Sequence, residues 1–303
     1  MDKMVDCAIV GGGPAGLMAA IYLSRFGLTA TVLEHGRSRA ATIPRSRNFP
    51  GYSDGIVGKE LISRMREQLA VYGVQPVRAE ARAAKRVRDG IELQTDADAL
   101  AARTIFLATG VEDIKPPFVS DEQHDAALQA FLVHYCPICD GFEVTRKPVT
   151  VMGTGTHGMR EALFLHSYAN NVTLLSPAGP HELANEERDK LRQAGVQLIE
   201  GPITPLRMDG GALVFEAGGQ PFKTEAVYGA LGSKPRSSLA RELGAELSPE
   251  GCIIVDAHQR TSAERVYAGG DVVLGLDQIT TAIGHAAIAA TTIRNDLYAW
   301  RAP

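Results

Sequence analysis

The chain has 303 residues, with 31 Lys and Arg against 35 Asp and Glu, a formal net charge of −4 and 45% hydrophobic residues. That length predicts two domains, each able to bury a core, and excludes a peptide hormone or a small disulfide scaffold. The balance of charge argues against a nucleic-acid partner. With no apolar h-region after Met1 and no run of about 18 apolar residues, the expectation is a cytoplasmic protein with no membrane partner.

The first predicted elements are a strand over Val5 to Val10, a turn Gly11-Gly12-Gly13-Pro14-Ala15-Gly16, and an apolar helix through Phe26 that stops at Gly27. A second strand over Thr29 to Leu33 leads into Glu34. In a dinucleotide-binding βαβ unit the first glycine permits the tight turn, the second lets the backbone approach a pyrophosphate, and the third lets helix and strand pack closely. Gly11, Gly13 and Gly16 take those places around Pro14 and Ala15, and Glu34 is the acid expected on a ribose hydroxyl. A helix follows over Lys59 to Tyr72, with Leu61, Ile62, Met65, Leu69 and Tyr72 on one face. A strand over Thr104 to Leu107 then runs into Ala108-Thr109-Gly110, and Val111 to Phe118, with Pro116 and Pro117, reads as a crossing linker.

The segment Tyr135-Cys136-Pro137-Ile138-Cys139-Asp140-Gly141 carries the chemistry. A C-x-x-C pair at a helix start can lower one thiol's pKa, and the two-residue spacer holds the sulfurs close enough for a reducible disulfide. Asp140 supplies a carboxyl that can move a proton to or from a leaving thiolate. A metal site would need two more ligands, which His134 alone does not supply, so no metal is expected. The competing reading is a pair of inert core thiols, which is the reading given to Cys7 and Cys252.

The strand-turn-helix pattern recurs about 142 residues on: a strand over Pro148 to Met152, the loop Gly153-Thr154-Gly155-Thr156-His157-Gly158, a helix through Ala169 and a strand over Val172 to Leu175. Gly153, Gly155 and Gly158 form a candidate second nucleotide site. A strand over Val227 to Leu231 is broken at a hinge, Gly232 to Arg236. The expected fold is α/β, with two Rossmann-like, three-layer dinucleotide-binding domains. Residues 1–115 and 236–303 form one, and residues 116–235 form a second inserted within it.

Near the end of the chain, Thr261 is followed by Ala268-Gly269-Gly270-Asp271 and a small-residue helix over Gln278 to Ile293. This resembles the second FAD fingerprint of flavoproteins with two dinucleotide-binding domains. With Gly11 to Gly16, Ala108-Thr109-Gly110, the cysteine pair and the second glycine loop, in that order, the chain resembles the low-molecular-weight thioredoxin reductases and their dithiol-oxidase relatives over its whole length.

The resemblance implies FAD held by Gly11, Gly13, Pro14, Ala15, Gly16, Glu34, Thr109 and Gly110. Gly270, Asp271, Gln278 and Ile279 join them, with Asp271 on the ribityl chain. Arg39 and Asn48, the latter in Asn48-Phe49-Pro50-Gly51, are implied cofactor contacts. Cys139 would face the flavin and Cys136 would exchange with substrate. A homodimer is implied, acting on a thioredoxin-like protein or a small-molecule disulfide or dithiol.

One departure concerns the electron donor. After Val172 to Leu175 the chain reads Ser176-Pro177-Ala178-Gly179-Pro180, without the basic cluster that grips the 2′-phosphate of NADPH. At about 1.5–3 kcal/mol per charge-assisted hydrogen bond, two missing arginines cost roughly 3–6 kcal/mol, about a hundredfold to ten-thousandfold in affinity. NADPH is therefore doubtful. The candidate donors are reduced ferredoxin or a second FAD on Gly153 to Gly158; otherwise electrons run the other way, from a dithiol to oxygen.

Competing classes are a ferredoxin:NADP+ reductase of the same fold, which needs no cysteine pair, and a non-catalytic flavin redox sensor. Arg37, Arg39, Arg45 and Arg47 form a basic run that reads either as a solvated loop with a pyrophosphate contact or as a docking surface for an acidic electron carrier. His285 is read as a packing residue or a flavin hydrogen-bond partner.

Overall fold

The computed structural model describes residues 4–36 and 38–301. Arg37 of the basic run lies outside them. In chain order the elements begin β1 (Val5–Val10), α1 (Pro14–Arg25), β2 (Ala30–Glu34), α2 (Arg39–Thr42), α3 (Gly58–Ala70), β3 (Val77–Arg78), β4 (Ala81–Val87), β5 (Gly90–Thr95), β6 (Ala99–Leu107) and β7 (Val111–Asp113). Next come α4 (Asp121–Gln129), β8 (Val133–His134), α5 (Pro137–Asp140), β9 (Pro148–Gly153), α6 (Gly155–His166), β10 (Asn171–Ser176), α7 (Asn185–Gln193) and β11 (Gln197–Glu200). The last are β12 (Arg207–Asp209), β13 (Ala212–Ala217), β14 (Gln220–Thr224), β15 (Val227–Ala230), β16 (Ser233–Pro235), α8 (Ser238–Glu242), β17 (Val266–Ala268) and α9 (Ile279–Arg301).

Two compact units result. The first comprises Met1–Thr42, Ile56–Glu112 and Lys234–Pro303; the second comprises Ile43–Gly55 and Asp113–Ser233. These boundaries fall two or three residues before the expected ones, and they add a segment, 43–55, that the sequence reading left with the first unit. The two crossings between the units are not bare linkers, because β7 and β16 pair there as a two-stranded sheet.

In the first unit the strands run β3-β2-β1-β6-β5-β4, with β17 also on β6. β1 lies parallel to β2 and β6, whereas β4, β5 and the start of β6 form an antiparallel meander. Central parallel strands are covered on both faces, so they read as continuous apolar runs rather than alternating ones. Cys7 to Val10 and Ile105 to Leu107 are all buried. α1 starts at a Gly13 N-cap with Pro14 in its first turn, where its fixed φ and missing N–H are no loss. It buries Leu17, Ala20, Ile21 and Leu23 and packs on α9, whose Ala282, Ala286, Ala289 and Ala290 are buried. Each buried leucine or isoleucine contributes roughly 1.5–3 kcal/mol.

α9 runs eight residues beyond the predicted Ile293 because the same buried face continues through Leu297. Its far half is tied down by Asp296, which accepts from Arg260 at 2.7 and 2.9 Å and from the Tyr267 hydroxyl at 2.6 Å. No helix among the described residues is long and apolar enough to cross a membrane.

In the second unit a parallel sheet runs β11-β10-β9-β15-β8, beside an antiparallel sheet of β12, β13 and β14. Val149, Val151, Leu165, Leu174, Leu191 and Tyr228 pack as one core cluster. α6 ends at His166 rather than Ala169, because Ser167 Oγ donates to the Phe164 carbonyl at 2.7 Å and Asn170 turns its amide to the Arg146 carbonyl. β8 is only two residues long, and its register sets His134 directly beside Tyr228 of β15.

Candidate active site

Around the first glycine loop the backbone is packed against itself. Gly11 has φ 116°, and a Cβ there would collide with the Ala108 carbonyl oxygen; one at Gly16 would collide with the Gly11 oxygen. A Cβ at Gly13 would meet only Ser38 Oγ, at 3.4 Å. Glu34 ends β2 and folds back over Gly12, with Oε2 accepting from Arg66 Nη2 at 2.7 Å. Gly270, at φ 80°, brings its turn against Ala15. Asp271 Oδ2 accepts from Arg39 Nη1 at 3.0 Å, and Asp277 lies 3.9 Å from the same nitrogen. Thr109 Oγ1 donates to the Arg236 carbonyl at 2.6 Å, and the Gly110 carbonyl accepts from Arg236 N. Gln278 precedes α9, which Ile279 opens. The structure thus brings the loop, Glu34, Arg39, Gly110 and Asp271 into one neighbourhood.

His285 on α9 accepts from the Gly270 amide at 3.4 Å. Burial lowers its pKa and so favours the neutral ring that can accept. Neither the Arg66 partner of Glu34 nor the Asp296 clamp was anticipated, since residues 32 and 36 apart in sequence meet only through the sheet. Asn48, expected at the flavin, falls in the segment 43–55 of the second unit, where its Oδ1 accepts from Ser46 Oγ at 3.0 Å.

The described arginines of the basic run are engaged within their own units. Arg45 donates to the Asp54 carbonyl, Arg47 lies 3.6 Å from Glu143 Oε1, and Arg39 holds Asp271.

In the second unit Cys136 and Cys139 are joined as a disulfide, with Cα atoms 5.2 Å apart. Cys136 is the extended N-cap of the four-residue α5, and both cysteines are half-buried. Ile138 and Phe142 beside them are 58% and 77% exposed, an apolar margin open to a substrate. The other cysteines remain thiols. Burial pushes the Cys7 thiol up to about 12, which makes it inert.

Asp140 is gripped at both oxygens. Oδ2 lies 2.6 Å from His134 Nδ1, and Oδ1 accepts from the Tyr228 hydroxyl at 2.9 Å. His134 stacks on Tyr228 with ring centres 4.7 Å apart. Sequence reasoning weighed His134 only as a metal ligand and overlooked Tyr228, because the β8–β15 register that pairs them leaves no motif. Among the described residues no group of three or more His, Cys, Asp or Glu is placed to hold a metal ion.

The second glycine loop has the same close-packed backbone, Gly153 against Ala230 and Gly158 against Gly153. Its surroundings differ. Thr154 Oγ1 accepts from Glu182 N at 2.8 Å, and Thr156, in the first turn of α6, donates to Glu187 Oε1 at 2.8 Å. Hydrogen bonds from the Ala184 amide and from Thr156 hold the Glu187 carboxyl below its ordinary range, so it is charged at neutral pH. A carboxylate of the chain itself therefore lies at the helix end where a dinucleotide unit seats pyrophosphate. Beyond β10, Arg188 spends its guanidinium on the His181 carbonyl at 2.8 Å and on Glu200 at 3.4 Å. A carboxylate of the chain thus stands beside the second loop, and the arginine beyond β10 is already paired.

Two dinucleotide-type units, one with a glycine cradle and an acid at the next strand, the other with a C-x-x-C disulfide, define a flavin-linked disulfide oxidoreductase. A family profile described as pyridine nucleotide-disulphide oxidoreductase matches residues 5–286, and the chain belongs to that family. It is 28% identical to a thioredoxin reductase of Bacillus subtilis over 97% of this chain and 95% of that one. It is 32% identical to a thioredoxin reductase of Mycolicibacterium smegmatis over 88% of each. The crystal structure of thioredoxin reductase from Streptococcus pyogenes superposes with a TM-score of 0.89 at 27% identity, covering 99% of this chain and all of that one. The protein is an FAD-dependent disulfide oxidoreductase of the thioredoxin-reductase type.

Proposed function

We propose that this enzyme moves electrons between FAD and the Cys136–Cys139 pair and on to a thioredoxin-like protein or a small-molecule disulfide, with a donor other than NADPH. The observation that carries this reading is at the second loop, where the first turn of α6 is bonded to the Glu187 carboxylate and Arg188, beyond β10, is spent on Glu200. FAD, when bound, supplies two-electron chemistry at its ring.

In this reading the first unit would hold FAD, with the α1 amides at Gly13 to Gly16 able to hold the pyrophosphate, Glu34 the ribose and Asp271 the ribityl chain. Gln278 and Ile279 stand at the ring. Cys139 would face the flavin and Cys136 would exchange with the substrate, whose apolar surface would rest on the exposed Ile138 and Phe142. Asp140 moves the proton. The enzyme works in the cytoplasm as a homodimer.

The test is anaerobic mixing of the yellow holoenzyme with stoichiometric NADPH, with dithionite as the positive control. Full reduction by dithionite and none by NADPH is expected. Rapid bleaching by NADPH overturns the donor assignment and leaves an NADPH-dependent disulfide reductase. Reduced ferredoxin, and dithiols with oxygen uptake followed, then separate the two directions of flow.

A further inference from the structure

Asp140 does not act alone. His134 is 4% exposed, and its Nε2 stands 3.0 Å from the Phe131 carbonyl. A carbonyl oxygen has no proton to give, so Nε2 carries one and donates. At the other end of the ring Nδ1 stands 2.6 Å from Asp140 Oδ2, too close for two lone pairs to face each other. One proton must lie in that contact, whether it is counted to the imidazolium or to the carboxylic acid.

The second oxygen of Asp140 is occupied by the Tyr228 hydroxyl. Burial, together with the Asp140 carboxyl, holds that phenol well above the ordinary tyrosine range, so it remains a donor. Glu143, from the turn after α5, and Glu161, from α6, also face Tyr228 and add negative charge around the cluster. Arg47 lies against Glu143, and His157 lies 3.2 Å from Glu161.

We propose that His134 is the positioning residue that keeps one proton shared with Asp140 beside the cysteine pair, making the His134–Asp140 couple, braced by Tyr228, the proton store for disulfide exchange at Cys136 and Cys139. This rests on the disulfide-oxidoreductase reading above.

In the direction of substrate reduction, the Cys136 thiolate attacks one sulfur of the substrate disulfide. The substrate S–S bond breaks and a mixed disulfide forms. The leaving thiolate takes the stored proton, and the couple is left deprotonated. The couple then removes the proton of the Cys139 thiol, whose thiolate attacks the mixed disulfide, forms the Cys136–Cys139 bond and expels the second substrate thiolate. Two electrons pass from the cysteines to the substrate, and the couple ends with the proton it began with. Dithiol oxidation is the reverse.

The test is stopped-flow exchange of the dithiol form of the holoenzyme with 2-hydroxyethyl disulfide, an alkyl disulfide whose leaving thiolate takes up a proton at neutral pH, from pH 5 to 9, for wild type, His134→Asn and Tyr228→Phe. Wild type is expected to exchange with a pH profile set by the couple. His134→Asn should lose about a hundredfold at neutral pH and shift its inflection, while Tyr228→Phe keeps the profile with a smaller loss. A His134→Asn enzyme with the wild-type profile, or one slowed equally at every pH, overturns the inference. If wild type itself does not exchange, the disulfide-oxidoreductase reading falls instead. A readout that needs no variant is the 15N shift of His134 in the histidine-labelled enzyme. Nε2 should stay protonated and Nδ1 should change state in step with the exchange rate; an Nδ1 that does not follow the rate overturns the proposal.

Discussion

The two glycine loops share one backbone solution and differ in what surrounds it. In both, a strand turns through glycines that press on neighbouring carbonyls, so a helix begins directly beneath the turn. At the first loop the acid of the next strand, Glu34, is neutralised by Arg66. At the second, Thr154 and Thr156 are bonded to Glu182 and Glu187, and the arginine beyond the next strand is committed to Glu200. A glycine fingerprint reports that the backbone can approach a phosphate. Whether a phosphate is welcome is decided by charges from other segments.

The sharpest way to break this comparison is Gly11→Ala. Its Cβ would overlap the Ala108 carbonyl at a residue held at positive φ, and the expected outcome is protein purified with about tenfold less flavin or none, read from the flavin-to-protein absorbance ratio. Normal flavin content in a folded Gly11→Ala protein would remove the first loop from the cofactor site.

Next in size is the conversion of the second loop. Ala178→Arg with Glu187→Gln places a cation beyond β10, where Ala178 is exposed, and removes the carboxylate from α6. It should give NADPH-driven flavin reduction that the wild type lacks, the added charge-assisted hydrogen bond being worth about tenfold in affinity. An unchanged rate would show that something other than these charges excludes the nucleotide.

A smaller effect is expected at Asp296, which secures the helix that also carries His285 to Gly270. Burial by itself raises this carboxyl's pKa, but the hydrogen bonds from Arg260 and Tyr267 outweigh it and hold the group below its ordinary range. A folded-state pKa below the unfolded one contributes stability above the unfolded value of about 3.9, and this is lost as pH falls through the folded value. Thermal melts of wild type should therefore drop below about pH 4. Asp296→Asn should lack that part of the drop and melt lower at pH 7, by about 1–3 kcal/mol of lost hydrogen bonding.

The smallest effect belongs to Gly158→Ala. Its Cβ would stand 3.0 Å from the Gly153 backbone and 3.2 Å from the end of the Leu174 side chain. A loss of about 1–2 kcal/mol in a urea melt is expected, with flavin content and DTNB exchange unchanged. Loss of flavin from this variant would mean that the second loop holds cofactor after all.

Much of this molecule was legible along the chain. The two strand-turn-helix openings, the acid at Glu34, the C-x-x-C pair and the turn at Gly270 and Asp271 are contiguous patterns whose physics is local: turn geometry, helix starts and sulfur spacing. The crossings were read as linkers because β7 and β16 are three residues each and gain strand character only from one another. Segment 43–55 packs with the second unit, which its loop composition does not announce.

The sequence by itself determined the fold class, the cofactor type and the redox pair, since each depends on residues within a few positions of one another. Only the tertiary structure decided which charges meet. Arg66 reaches Glu34, Glu187 reaches Thr156 and Tyr228 reaches Asp140 across tens of residues, and His134, six residues from Asp140, closes on it from β8. Electrostatics acts through space and not along the chain, so the environment of the cysteines and of both glycine loops became readable only once the sheets were formed.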